Sequence, residues 1–265
     1  MLTVITGDHI RHLYLINYLS HHFEVDNWII QKRENQKKSA VIKFSKLQKL
    51  EKIHFEKRLI SEEKFFGSKK DFNIKANKIF KINKSNLTDG KLTKILKKNN
   101  CQNLITYGCH KISTESLKVV KKNAWNIHAG LSPWYRGSMT HFWPTYMLEP
   151  EFTGVTVHKI TNNIDGGEII HQSLVNLNPN DGIHDNACRC MKNFIKDFVT
   201  IIPKNFNNKK FIGVKQTTSG RIWTSKMWHP NLLKVIYEKF NDKINKFCLE
   251  NKKIEIPIVK SILAK

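Results

Sequence analysis

The sequence predicts an α/β protein built on an open, mostly parallel β-sheet, and three observations carry that expectation. Residues 2–6 form an apolar, β-branched run, 9–23 carry a helical stripe, and 25–30 form a second apolar run; strand, helix, strand is the opening of a parallel sheet. Short apolar runs then alternate with helical patterns as far as residue 127. Two alternating runs follow, at 153–160 and 168–176, joined by the turn-rich stretch 162–167, and these read as two more strands.

Each element has its own signal. Gly7 ends the first strand, and Ile10, Leu13, Ile16 and Leu19 give the first helix one buried face, with Asp8 expected as its N-cap. The lysine-rich stretch 33–70 carries Leu47, Leu50, His54, Phe65 and Phe66, which predict one or two helices lying on the sheet. A short strand is expected at 79–82, then a helix over 90–98 that stops at Asn99 and Asn100, then a buried strand at 104–107. Ser113 is placed to cap a helix over 114–121, with Glu115 in the first turn where the helix dipole favours it. Residues 124–127 give another strand, and a long helix over 183–202 follows Asp181 and Gly182. The division expected is a main domain over 1–203, containing the lysine-rich region 32–100, and a small mixed C-terminal segment over 204–265.

Composition removes several classes of function. Hydrophobic residues make up 40% and charged residues 25% of the 265, ordinary globular usage that excludes wholesale disorder. No apolar stretch approaches the ~20 residues needed to cross a bilayer, and MLTVITGDHI lacks the flank and length of a secretory signal. Five scattered cysteines do not make a disulfide framework, so a soluble cytoplasmic protein is expected. The net charge is +23, yet only six of the 45 basic residues are arginine. Between Lys32 and Asn100 there are 21 basic and 7 acidic residues, net +14. Arginine is the residue suited to bidentate phosphate recognition, so solvated lysine faces are favoured over a nucleic-acid surface. The positive field would still steer an anionic substrate.

The chemistry concentrates between residues 125 and 172. Asn126 and His128 stand two apart, so on a strand end both side chains project from one face. Asp165 lies in a turn followed by Gly166 and Gly167, which let the backbone bend around its carboxylate. An amide, an imidazole and a carboxylate at strand ends suit acyl transfer to an amine: donors for an oxyanion, and a base for the amine proton.

The segments NIHAGLSPWYRGSMTHFWP (126–144) and FTGVTVHKITNNIDGGEIIHQ (152–172) resemble the folate-dependent formyltransferase family. The matching elements are Asn126-Ile127-His128, Ser132 and Pro133, Tyr135-Arg136-Gly137, then Gly154, Thr156 and His158, and Asp165 with Gly167. The resemblance implies a Rossmann-like domain that uses 10-formyltetrahydrofolate as co-substrate and no metal, with Asn126, His128 and Asp165 catalytic. It implies a pterin site between the stretch Tyr107, Gly108, Cys109, His110, Lys111, Ile112 and the loop Thr161, Asn162, Asn163, Ile164, Asp165, both acting mostly through their backbones.

Family members differ in the amine they formylate. Asp8 beside the first helix N-terminus would repel a phosphate there, against a glycinamide ribonucleotide acceptor. The chain starts directly in a strand, against the formyl-folate hydrolase branch, and the stretch after Pro203 is short for the barrel of the tRNA enzymes. The expected acceptor is therefore a nucleotide-linked amino sugar, as in polysaccharide biosynthesis. The segment GRIWTSKMW (220–228) is similar to tails of sugar formyltransferases. Trp134, Tyr135, Arg136, Trp223 and Lys226 are the candidate acceptor contacts, a tryptophan stacking on a base and a cation meeting a diphosphate. A methionyl-tRNA formyltransferase-like enzyme and a non-catalytic, basic nucleic-acid binder are the alternatives. A homodimer joined through the C-terminal segment is also expected. Cys188 and Cys190, with His184 on one helix, face apart and do not suggest a zinc site.

Overall fold

A seven-stranded sheet, read off a computed structural model, carries the molecule in the order β3-β2-β1-β4-β5-β7-β8. The structure describes residues 1–32, 49–202, 206, 209–217 and 220–263. Leu47 and the first part of the lysine-rich stretch lie outside them. Strands β1 (Leu2–Thr6), β2 (Val25–Gln31), β3 (Ala76–Ile82), β4 (Asn103–Tyr107) and β5 (Asn123–His128) are mutually parallel. β6 (Tyr135–Gly137) stands outside the sheet, while β7 (Gly154–Lys159) and β8 (Ile169–Leu174) complete it as an antiparallel pair. The chain builds outward from β1 to β3, then returns to β4, so the order reverses between β1 and β4. Such a switch point, where the loops leaving neighbouring strand ends run to opposite sides, is the usual ligand position in sheets of this kind.

Alternation along the strands sends side chains to two cores. Leu2, Val4, Ile105 and Tyr107 face α1 (Ile10–His22), α2 (Lys49–Phe66) and the long helix α6 (Ile183–Ile201). Ile5, Ile29, Ile82 and Leu104 face α3 (Lys91–Lys98) with its Leu92 and Leu96. Phe194 and Phe198 of α6 are fully buried and stacked with ring centroids 5.1 Å apart. Burying each such ring contributes about 1.5–3 kcal/mol.

Two local expectations change. The N-cap of α1 is His9, in extended backbone, and not Asp8; the bend after Gly7 displaces the helix start by one residue. The helix after Ser113 is α4 (Thr114–Lys118), ending before residue 121, although the Ser113 hydroxyl caps it by accepting from the Ser116 amide at 3.2 Å. Lys121 N–H donates to Cys101 O and Lys122 N–H to Gln102 O, so the chain is already tied to the start of β4 where a further turn would lie.

The described residues after 209 meet the sheet at two backbone bridges. Val214 bridges Ile169 and Ser261 bridges His171, both at β8. Strand β9 (Arg221–Trp223) pairs in parallel with β6. A third cluster joins Tyr135, Phe142 and Trp143, the last on the short α5 (Trp143–Tyr146), to Ile183, Trp223, Leu233, Ile236 and helix α7 (Ile244–Asn251). Among the described residues, no helix is long and apolar enough to cross a membrane and no group of His, Cys, Asp or Glu could hold a metal.

Candidate active site

Strand pairing assembles the polar groups. β5 and β7 run antiparallel with Asn126 opposite His158 and His128 opposite Thr156, so one face of the β5 end presents an amide and two imidazoles. The turn after β7 folds Asp165 back over that face. Asp165 has a φ of +45°, a left-handed conformation uncommon for a residue with a side chain. Two residues on, the chain passes so close to the Lys159 carbonyl that a Cβ at Gly167 would collide with it. Glycine is required there.

The Asp165 carboxylate is the hub. Its Oδ2 lies 3.4 Å from His128 Nδ1 and accepts from the Gly137 amide at 2.9 Å. Its Oδ1 lies 3.3 Å from His158 Nε2 and 3.4 Å from Asn126 Nδ2. Burial alone would raise the carboxyl, but the two imidazoles and the Gly137 N–H overcome it and hold Asp165 well below the ordinary carboxylate range. Burial lowers His128 below the usual imidazole value, against the opposing pull of Asp165.

Neighbouring main chain orients each ring. His128 Nε2 donates to the Tyr135 carbonyl at 2.8 Å, and His158 Nδ1 donates to the Lys159 carbonyl at 2.8 Å. Each imidazole therefore turns its other nitrogen to Asp165. The Thr106 hydroxyl, on β4, donates to Asn126 Oδ1 at 2.8 Å, which turns the amide nitrogen toward the Asp165 carboxylate and to within 3.3 Å of His158 Nε2. Gly130 passes against the His128 ring so closely that a Cβ would meet Nε2 and the Tyr135 carbonyl.

The expected pterin walls flank this centre. Gly108, with φ +64°, turns the chain out of β4. His110 is exposed, its amide donates to Gln31 Oε1 at 2.9 Å, and Lys111 is exposed beside it, while Tyr107 and Ile112 are buried under the loop. Opposite, Asn162 and Asn163 are exposed and Ile164 is 56% exposed. The Thr114 hydroxyl, at the start of α4, donates to Asn162 Oδ1 at 3.2 Å, which ties the 161–165 loop to the helix after the first wall.

The candidate acceptor residues divide. Arg136 lies with its guanidinium over Gly166 on the Asp165 turn, and its charge is felt at His128. Trp134 is 38% exposed beside Phe152, and Lys226 is exposed on a turn after β9. Tyr135 points inward, its phenol donating to Glu149 at 2.7 Å. Trp223, expected to offer a face to a base, is 6% exposed, with Trp143 stacked at a centroid distance of 4.4 Å, the Arg221 guanidinium 4.2 Å from its ring centre and Tyr135 near-parallel at 5.7 Å. It is buried. His158 lies within a matching motif, but only strand pairing puts it beside Asn126, so its place in the site is not readable from the sequence. Nor is that of Gln216, whose amide donates to the Asp165 and Gly167 carbonyls at 2.9 Å each; contacts to main chain leave no local sequence signal.

Residues 26–201 match the family described as formyl transferase. A methionyl-tRNA formyltransferase of Desulforamulus reducens is 38% identical over 88 residues, 32% of this chain and 27% of that protein. The chain spans less than half the length of such curated relatives, with matches covering 23%, 27% and 40% of three of them. Among solved structures, a 4-N formyltransferase of Francisella tularensis has a TM-score of 0.56 at 18% identity, covering 85% of this chain and 76% of that one. The N-formyltransferase of Helicobacter canadensis, in complex with folinic acid and dTDP-3-aminofucose, has a TM-score of 0.53 at 20% identity, covering 86% and 73%. At these identities the structural likeness speaks to the fold alone.

Proposed function

This chain belongs to the formyl transferase family, and we propose that it moves a formyl group from 10-formyltetrahydrofolate to the primary amine of a nucleotide-linked amino sugar. The observation that carries the transfer reading is the convergence of Asn126, His128 and His158 on the Asp165 carboxylate, all within 3.4 Å, at the end of β5. The loops at 107–112 and 161–165 supply two walls suited to a flat pterin held through main-chain groups.

The neutral acceptor amine attacks the formyl carbon, forming the new C–N bond and placing charge on the formyl oxygen. That oxyanion is met by the Asn126 amide and by His128, whose Nε2–H leaves the neutral Tyr135 carbonyl for the stronger, charge-assisted bond. Asp165 takes the amine proton, directly or through water. The bond to N10 then breaks, and the proton passes to that nitrogen as tetrahydrofolate leaves. Asp165 is kept ionised by its neighbours, the state a base requires. Holding both reactants in one cleft supplies much of the remaining acceleration.

The sugar-nucleotide acceptor is supported by the dTDP-3-aminofucose bound to the Helicobacter canadensis protein and by the acidic Asp8 just ahead of α1, unfavourable for a terminal phosphate. The methionyl-tRNA relative supports the second reading, transfer to a charged tRNA. The deciding experiment is an assay with 10-formyltetrahydrofolate against amino-sugar nucleotides, glycinamide ribonucleotide and charged initiator tRNA, following tetrahydrofolate release and product mass. Transfer to a sugar nucleotide is expected. Transfer to tRNA alone would replace the acceptor, and no transfer to any amine would remove the reaction.

A further inference from the structure

We propose that Gln216 is a positioning residue for this transfer: its side-chain amide, on a segment pinned to the sheet edge, clamps the turn that presents the Asp165 carboxylate. This rests on the transfer reading and adds a part to its machinery that lies outside the expected catalytic stretch.

The turn needs an external hold. Asp165 sits at φ +45°, and such backbone persists only where its surroundings over-determine it. Gln216 supplies two of the bonds that do so. Its Nε2 has two hydrogens, and the two acceptors at 2.9 Å are the carbonyl of Asp165 itself and that of Gly167. The Ser132 hydroxyl adds a third bond to the Asp165 carbonyl at 3.3 Å. With the backbone so held, the carboxylate reaches the Gly137 amide at 2.9 Å. That amide is in turn fixed by the pairing of β6 with β9 and by Ser138 N–H donating to Trp223 O at 2.7 Å.

Gln216 is itself anchored. Val214 and Ile169 exchange both backbone bonds, at 2.7 and 2.8 Å, and Gly213 N–H donates to Glu168 Oε2 at 3.2 Å. Upstream, Phe211 N–H donates to Asn123 Oδ1 at 3.0 Å, and Asn123 Nδ2 donates to the Lys209 carbonyl at 2.8 Å. Asn123 begins the strand that ends in Asn126 and His128. One strand thus carries the amide and the imidazole at its far end and, at its near end, the anchor of the segment that clamps the carboxylate. A positional error of ~1 Å in such a group costs as much as ~10²-fold in rate.

The test uses the full chain with Gln216→Met, which keeps the side chain's length and removes the donor. The expected result is a kcat lower by roughly tenfold with both KM values within about twofold, because the displaced group acts on the reacting atoms and not on ground-state binding. In an Asp165→Asn background the same substitution should cost less than about twofold, since no carboxylate remains to be positioned. Gln216→Lys, which retains N–H donors, should recover kcat to within about threefold of wild type. Independently of activity, exchange of the Gly137 amide should accelerate by about tenfold in Gln216→Met. An unchanged kcat, an equal loss with and without Asp165, or an unchanged Gly137 exchange rate overturns the proposal. A wild-type chain that formylates no acceptor overturns the transfer reading instead, and Gly137 exchange then decides the clamp alone. Should Gln216→Met not fold, the Gln216→Lys variant carries the test: a melting temperature and kcat near wild type are expected, and a folded Gln216→Lys with kcat as low as that of Asp165→Asn overturns the clamp.

Discussion

Replacing Trp223 by alanine separates two roles that a tryptophan beside the candidate site can play. Trp223 is 6% exposed, with Trp143 stacked at 4.4 Å and Tyr135 near-parallel at 5.7 Å, and the Arg221 guanidinium lies over its ring, 4.2 Å from the centre. Removing a buried indole costs about 3–5 kcal/mol, the spread depending on how far the site can collapse. Here collapse is limited, because the two flanking rings belong to separate elements, β6 and α5. At about 2–4 °C per kcal/mol for chains of roughly this size, the melting temperature should fall by about 6–20 °C. Trp223→Phe should retain part of the stack and lose less. The assay is calorimetric unfolding of both variants at neutral pH, paired with the acceptor KM measured well below the melting temperature. A structural brace lowers the melting temperature and leaves that KM within a few-fold. A stacking platform would lose about 1–3 kcal/mol of base stacking, raising KM by one to two decades with unfolding unaltered. That second pattern would refute the packing argument.

Asp165→Asn and His128→Ala should each lower turnover by at least ~10²-fold while the far-UV spectrum and folate binding remain, as for single acid–base or oxyanion deletions. Gly137 has φ +100° and a Cβ there would collide with the Trp223 carbonyl; Gly137→Ala should cost about 2–4 kcal/mol in urea unfolding and lower kcat, whereas wild-type unfolding would contradict the backbone geometry. Acid should weaken the fold through buried histidines. Burial holds His54 at about 3 and His141 and His171 at about 4, below the ordinary 6.5, so the unfolded chain binds these protons first. Their stabilisation is complete above about pH 6.5 and is lost as pH falls from there toward 4 and 3, by up to about 1.4 kcal/mol per pH unit for each. Urea midpoints measured from pH 7.5 to 4.5 should fall below 6.5; a flat profile is the contrary result.

Strand and helix order was legible because local periodicity encodes it. Leu2–Thr6, Leu104–Tyr107 and the α6 pattern are written in runs of neighbours, and the parallel class follows from their alternation with helices. Helix ends were read less well: His9 replaces Asp8 as the cap of α1, and α4 stops early because Lys121 and Lys122 bond to the residues leading into β4. Neither reason is local. The reversal of strand order between β1 and β4 is likewise a property of the sheet and not of any segment.

Within the site, Asn126 and His128 were visible as a pair because strand geometry projects residues two apart from one face. Asp165 announced itself through the glycines after it. The sequence alone therefore determined the class of fold, the three polar groups and, through the resemblance of two segments, the family. Tertiary structure decided which partners those groups have. His158 reaches Asp165 because β7 pairs antiparallel with β5, and Gln216 reaches the same turn from 51 residues away. Trp223 is packed against Trp143 and Tyr135 with only 6% of its surface exposed. These outcomes depend on contacts between segments distant along the chain, and their side chains meet main-chain atoms or ring faces that any residue sequence can supply. Local pattern is blind to them for that reason.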